Sequence, residues 1–537
     1  MSSQQLFATL TPVGGYRPVT STGGPDTSPN VLYRGSGFWL RPGGRLKPVK
    51  GSTQISATNL GPRIYPLNQY RGEIGGALVS GALPKEALVR YQGSALFFVS
   101  ENTSQQVYIN ESTSTPFTLT GVTTSSVAGK LRVALLSGTT YTAYDAGVAP
   151  PTSIGTVSTE TGGSKSMNGI VSIVACARRT ITDSTSNPTP ANVQTLSSGG
   201  NNRIRVVLPA LGTGTDGWWY GGTSWAQGNT GPWKLIREVL SVVPGTSTFT
   251  NGSNAVSGAE TRYLTYLRNG DKITVNATDY YVSVTSATVA ALYSDAALTT
   301  PVNFAGATGT YSITMKEIVL DWRNGELTDP ITFDNDVPPL LDGLLLFNDV
   351  PFGWRGNTLY PSKIGNPEAW PPALARSTQT GADIIWALAG DARIYLLTRN
   401  SMEVVTFTQQ EGDPFLIRQA WGFGFSSPTQ ACVAEGVLYA AVGTSSGVKI
   451  LRTRVDDSPD LEFSANIESD LASWSIDNVV MAYDASNGAV LAIHNDGTNT
   501  TIIPFMLQQG VWSLPQSLTG RVKDAASSAN VCSFIVY

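Results

Sequence analysis

His494, in the stretch VLAIHNDG, is the single histidine of this chain, so any imidazole chemistry must pass through it. One histidine cannot build a multi-histidine metal site, and as a catalytic base it needs a nucleophile beside it. It stands where an apolar run meets an Asn-Asp-Gly turn, and reads as an ordinary strand-end residue. A formal Gly-x-Ser-x-Gly occurs at Gly443-Thr444-Ser445-Ser446-Gly447. A nucleophile elbow has a strand before it and a helix after it. Here LYAAV precedes and VKILRTR follows, so the motif reads as the tip of a β-hairpin, where Gly and Ser serve the turn.

Acid chemistry needs only a pair of carboxylates. The densest group is Asp456, Asp457, Asp460 and Glu462 in RTRVDDSPDLEF. Pro459 and the charge density read as a solvated loop. The repeated Ser-x-Asp-x-Gly-x-x-Trp turns of sialidase-type propellers do not occur. Neither does GxxxxGK[ST] or GxGxxG, so phosphate cradling has no motif to carry it. Cys176, Cys432 and Cys532 are odd in number and far apart, which fits buried free thiols rather than a disulfide framework or a CxxC metal site. These readings point to no catalytic residues, no metal and no cofactor.

Aromatic residues gather in two places. DGWWYGGTSWAQGNTGPWKL carries Trp218, Trp219, Tyr220, Trp225 and Trp233 among glycines, and RGSGFWLRPGGRL carries Phe38 and Trp39 among arginines. Three roles stay open for the first group: stacking on sugars, packing against a neighbouring chain, where Trp and Tyr are enriched, or a sandwich core with its covering loop. Trp39 reads as an anchor for an arm.

The elements that must position these residues are strands. Charged residues make up 14% of the chain and hydrophobics 41%, with Ser, Thr, Gly and Asn filling the difference. These suit turns and pleated surfaces better than helices. The net charge is −4 and no long basic block occurs, so a nucleic-acid-binding face has little support. The N-terminus MSSQQLFATLTPVGG lacks the pattern of a signal peptide, and no apolar run approaches the ~18 residues of a membrane span. The expectation is a chain made in a cytosol.

Residues 1–85 read as an extended, irregular arm rich in Gly and Pro. From 86 to 147 a strand–turn–strand pattern begins, and it resumes from 339 to 537. Gly343, Gly390, Gly436 and Gly488, read as turn glycines, lie about 46 to 52 residues apart, the period of four-stranded propeller blades. Apolar runs such as LLLF, IYLL, LYAAV and VLAI suit inner strands covered on both faces. Two blades before the interruption and four after it predict about six. A tandem of β-sandwiches is the competing architecture. The interruption, 148–338, reads as an inserted fibronectin III-like sandwich. Within it 246–316 reads as a nested module, with a short helix in ETRYLTYLRNGD carrying Tyr263, Leu264 and Leu267 on one side.

Several segments in order resemble one family. NVLYRGSGFWLRPGGRLKPVKGST is similar to the opening of podovirus tail nozzle (tail tubular protein B-like) proteins. GNTLYPSKIGNPEAW resembles their blade strand followed by a S-x-I-G-x-P-x-x-W turn, and RNSMEVVTFTQQEGDPFLIRQAWGFGFSSPTQACVAEGVLYAAV resembles the next blade. The resemblance covers most of the chain and is weakest over 246–316. It implies a structural virion protein of a short-tailed bacteriophage, made in the host cytoplasm. It implies six copies in a ring below the tail adaptor, with tail fibres or a spike attached and genomic DNA passing through the lumen. A mildly acidic wall agrees with passage without sticking, since affinity for the phosphate backbone comes from cations. The alternative is a carbohydrate-binding or carbohydrate-cleaving propeller, such as a receptor-binding tail component.

SKIGNPEAW, residues 362–370, is the best marker of that family here. Gly365 can supply a positive φ, Pro367 fixes its own φ and holds Asn366 extended, and Trp370 can fold back as an apolar plug. The segment reads as a latch at the end of a blade strand, with Lys363 and Glu368 as an exposed pair.

Overall fold

The computed structural model describes side chains over residues 145–517, apart from 166, 198–200, 225–231, 328, 349, 409–413 and 486, and also those of Leu131 and Val133. The protein is mostly β, built from many antiparallel sheets with only short helical turns. It divides into two compact units. One contains Met1–Asp145, Pro339–Pro367 and Pro372–Tyr537; the other contains Ala146–Pro338 and Glu368–Pro371.

In the first unit, four antiparallel meanders follow one another. The first runs Gly343–Phe347, Val350–Arg355, Thr358–Pro361 and Arg376–Ser377. The second runs Ile384–Ala389, Ile394–Thr398, Met402–Gln410 and Asp413–Trp421. The third has three strands, Ala431–Ala434, Val437–Thr444 and Gly447–Arg452. The fourth begins with Val479–Asp484, Ala489–Asn495 and Asn499–Met506.

Side chains alternate across a strand, and the meanders use both faces. From Ile394–Thr398, Ile394 and Leu396 join the cluster of Leu345, Phe352 and Trp354 in the first meander. Tyr395 and Leu397 join Leu438, Ala440 and Val442 of the third. From Val437–Thr444, Tyr439 and Ala441 pass to the other side and meet Val490, Ala492 and Phe505 of the fourth. The four meanders therefore stack face to face in chain order.

Gly343 differs from its expected role. It is not a turn residue but opens the first strand of its meander, so LLLF is a first strand whereas IYLL, LYAAV and VLAI lie second. Its smallness serves packing: a Cβ there would stand 1.9 Å from the Trp354 ring. Gly436 does take a left-handed φ of +77°, in the turn before Val437.

The stretch expected to be an irregular arm contains strands. Phe38–Arg41 pairs with Arg45–Pro48. Asn68–Tyr70 and Glu73–Leu78 belong to one eight-stranded sheet with the strands that run on to Thr140–Asp145, so the strands of 86–147 share that sheet too.

The second unit is two sheets around one core. In the five-stranded sheet Gly169–Arg179 pairs with Ser184–Thr185, Asn192–Leu196 and Gly217–Gly222, and the last of these pairs with Lys234–Leu240. The nine-stranded sheet starts at the edge with Thr156–Thr161, then Asn202–Val207, Thr314–Leu320 and Lys272–Val275. Val171, Ile173, Trp218 and Tyr220 from the first sheet meet Ile204, Val206, Ile273 and Ile318 from the second.

Residues 246–316 are not a separate module. Their strands continue the nine-stranded sheet, and Phe249, Val256 and Phe304 belong to the same cluster. The expected helix is one turn, Tyr263–Tyr266. Tyr263 and Leu267 are buried, but Leu264 is 64% exposed, because a single turn cannot bring all three to one face.

Gly343→Ala is expected to destabilise the first unit by ~1–3 kcal/mol, the usual cost of overpacking a tight core. The check is a set of denaturant melts with and without Trp354→Leu: the cost of Gly343→Ala should shrink in the Trp354→Leu background, where the ring no longer meets the added methyl.

Candidate functional site

The SKIGNPEAW segment lies across the boundary of the two units: Ser362–Pro367 is counted with the first and Glu368–Pro371 with the second. Lys363 to Asn366 form a tight turn in which Asn366 N donates to Lys363 O at 3.1 Å. Gly365, third in that turn, has a φ of +77° with nothing within 4 Å of a Cβ, so its demand for glycine is conformational. Asn366 is followed by Pro367, and the chain then enters the second unit.

There the chemistry differs from the expected exposed ion pair. Glu368 is 2% exposed. Its Oε2 accepts from Arg179 Nη1 at 2.5 Å and from Gly147 N at 3.0 Å, and its Oε1 accepts from Ser184 Oγ at 2.9 Å. Arg179 closes the apolar strand Gly169–Arg179 and also donates to Gly214 O. Such a pair is destabilising to break, because the remaining charge is left buried. Sequence reasoning missed Arg179; its one signal was two arginines ending the run IVSIVACARR. Trp370 is 2% exposed, and its amide donates to Asp336 O at 2.8 Å. The segment thus leaves the end of the strand Thr358–Pro361, and its last residues, Glu368–Pro371, are counted with the second unit.

The aromatic run separates by strand alternation. Trp218 points into the core of the second unit, 3% exposed. Trp219 points to the opposite face of its sheet, where the Arg178 guanidinium lies 4.5 Å from its ring centroid. Arg178 is held by Glu238 and Asp183. Trp233 packs on that same face with Ile331, Val174 and Cys176, and its Nε1 donates to Ser172 Oγ at 2.8 Å. Its ring meets Phe333 edge-on at 5.5 Å, and Phe333 is 57% exposed. Trp225 lies outside the described residues. So does the side chain of Trp39, whose residue falls in the strand Phe38–Arg41.

The acidic loop is another correction. Asp457 is buried, 2% exposed, and its carboxylate receives Arg393 and Arg418 from the second meander. Trp421 Nε1 donates to Asp457 O at 2.8 Å. Asp457 reaches this position through a turn with φ +66°, in which its amide donates to Arg454 O. Asp460 accepts from Arg452 and Arg454. Asp456 and Glu462 are exposed.

His494 is buried and stacks on Trp474, centroids 4.9 Å apart and 11° from parallel. Its Nε2 accepts from Ser475 N at 3.1 Å, which requires that nitrogen to be unprotonated. Burial holds its pKa below the ordinary value, against a smaller upward pull from Asp496. Ser445 and Ser446 form the two-residue tip between Thr444 and Gly447, with a strand rather than a helix following. Burial pushes the Cys176 thiol up to about 12, so the thiolate nucleophile is scarce at neutral pH. Among the described residues no group of three or more His, Cys, Asp or Glu is placed to hold a metal ion, and no helix is long and apolar enough to cross a membrane. The described carboxylates of these loops hold arginines and loop amides in place, which is positioning chemistry.

Trp370→Ala is expected to lower stability by ~3–5 kcal/mol, the cost of emptying a buried tryptophan site; a thermal melt unchanged from wild type refutes the latch. The His494 prediction concerns pH. The unfolded chain binds this proton at the ordinary 6.5 and the folded chain only at lower pH. Stability from His494 is therefore fully present above the unfolded value and is lost as pH falls through the folded one. Denaturant melts of wild type and His494→Gln should converge on acidification below about 6.5; a constant gap across that range rejects the assignment.

No family model matches the chain, and no curated protein matches its sequence. Solved structures that it is similar to include a protein from Lactobacillus plantarum, at 12% identity over 62% of this chain and 99% of that one, TM-score 0.25. A putative 6-phosphogluconolactonase from Bacteroides uniformis is similar at 11% identity, over 69% of this chain and 100% of that one, TM-score 0.25. A quinonprotein alcohol dehydrogenase-like protein from Bacteroides thetaiotaomicron is similar at 12% identity, over 69% and 94%, TM-score 0.24. At these TM-scores the likenesses carry no argument about what this chain does.

Proposed function

We propose that this chain is a structural protein of a bacteriophage tail, a nozzle that rings the DNA-ejection channel below the adaptor and docks fibres or a spike. In this reading the meanders after Pro339 are four blades of a propeller of about six, and Ala146–Pro338 is a sandwich inserted between blades. The observation that carries the proposal is the face-to-face stack of meanders in chain order, interrupted by a second compact unit. That order is the one in which the family-like segments occur along the sequence. The use of buried carboxylates as internal ties also favours a scaffold. A net charge of −4 suits a wall past which DNA slides. Rings of like subunits arise from heterologous contacts that close.

The carbohydrate reading draws on one feature, the Trp233–Phe333 edge with Phe333 open to solvent. It predicts a saccharide-dependent rise in melting temperature that Trp233→Ala removes.

The nozzle reading predicts six-fold rings by electron microscopy and mass photometry when the chain is mixed with the adaptor protein of its own virion. A chain that stays monomeric in that mixture and turns over a polysaccharide refutes it.

A further inference from the structure

Thr156–Thr161 is the edge of the nine-stranded sheet and pairs on one side only, with Asn202–Val207. Leu208 N donates to Lys316 O, on the far side of that neighbour. Backbone groups alternate along a strand, so the odd-numbered Arg203, Arg205 and Val207 face the edge strand. Their register partners are Glu160, Ser158 and Thr156. The N–H and C=O of Val157, Thr159 and Thr161 therefore point outward, and among the described residues no strand lies beyond them.

Sheet edges are ordinarily blunted by lysine, proline or a bulge. TVSTET has no Lys and no Pro, and its register with Asn202–Val207 is unbroken. Its one charge, Glu160, is already held by Arg203 at 3.1 Å and Arg205 at 2.5 Å. Thr156, Ser158, Thr159 and Thr161 are exposed.

We propose that this edge pairs antiparallel with the same strand of a second copy, about a two-fold axis through Thr159. The pattern is self-complementary. With Thr159 opposite Thr159, Val157 falls opposite Thr161 of the other copy, and all three outward residues of each strand become hydrogen-bonded pairs. A shift in register leaves one of them without a partner strand residue. The centred register also sets Glu160 against Ser158, so like charges are not opposed, and its Thr–Thr and Val–Thr pairs are favourable across strands. The contact is isologous and closes on itself. It is small, hence weak and concentration-dependent. It goes beyond the ring reading and uses a different surface argument.

The test is Thr159→Pro. The amide at 159 points outward, so proline there removes no internal hydrogen bond, and an extended edge strand accepts its φ. Sedimentation equilibrium over roughly 1–100 μM should give wild type a mass that rises with concentration toward twice that of whatever assembly the Thr159→Pro chain forms. Thr161→Pro, with the same outward geometry, should also halve the mass, and serves if the first variant melts early. In wild type, hydrogen exchange at Val157, Thr159 and Thr161 should slow as concentration rises. Equal masses for wild type and a folded variant, or concentration-independent exchange, overturn the pairing. Six-fold rings of equal mass in both chains would leave the nozzle reading standing and this one refuted; doubling in wild type, with no rings on adding the adaptor of its own virion, would do the reverse.

Discussion

The structure depends on strands that are buried on both faces. Ile394–Thr398 is buried at every position, and so is Ala489–Asn495. A strand of period two then serves two cores at once, one with its odd residues and one with its even residues. That requirement makes consecutive meanders stack. A sheet whose second strand carries apolar residues on both faces must have a layer on each side of it. Small residues at these positions, Ala440, Ala441 and Ala492, let the layers approach while Trp354, Trp421 and Phe505 fill what remains. The stack is thus a consequence of local sequence rather than of long helices or disulfides.

A chain with 14% charged residues has few ions to spare, and it places several where they fix loops. Glu368 ties its segment to Arg179, and Asp457 ties its loop to Arg393 and Arg418. Asp271 takes Arg237 in a bidentate pair and accepts the amides of Val319 and Arg268 besides. Glu403, fully buried, accepts the amides of Gln379 and Thr380. Most of these bonds join a loop to a strand. Such pairs act mainly through the penalty for breaking them, so they select one loop conformation more than they add stability.

Strand pattern was legible in the sequence because burial on two faces shows as short apolar runs. IYLL, LYAAV and VLAI are second strands, as their composition indicated. The tight turn at Gly365 was legible for a similar local reason, since its left-handed φ depends on its own few residues. What failed was what depends on distant partners. Gly343 has the spacing of a turn glycine but owes its identity to the Trp354 ring across the sheet. Asp457 and Glu368 look like solvated charges, and only the arrival of arginines 39, 64 and 189 residues away makes their burial affordable. The apparent module at 246–316 has a local strand pattern of its own, yet Thr314–Leu320 pairs with Asn202–Val207 and merges it with the rest. Loop composition alone likewise could not say which tryptophan of the WW pair faces the core; the strand parity of Gly217–Gly222 does.

Low charge also governs how the second unit ends its sheets. With few lysines to place on edges, an edge must be covered by other chain or left to pair. Lys234–Leu240 is covered in part: Leu235 N donates to Asp329 O, and Ile331 N donates to Trp233 O, so the returning segment lies along it. Gly309–Tyr311, at the far end of the nine-stranded sheet, is only three residues long and offers little backbone. Thr156–Thr161 has neither protection. It is long, regular and rich in β-branched residues, the composition that pairs most readily with another strand. Threonine keeps such an edge wetted while it is alone and supplies cross-strand contacts when it is not. By the pairing proposed above, this edge is where the second unit takes up a strand of another chain.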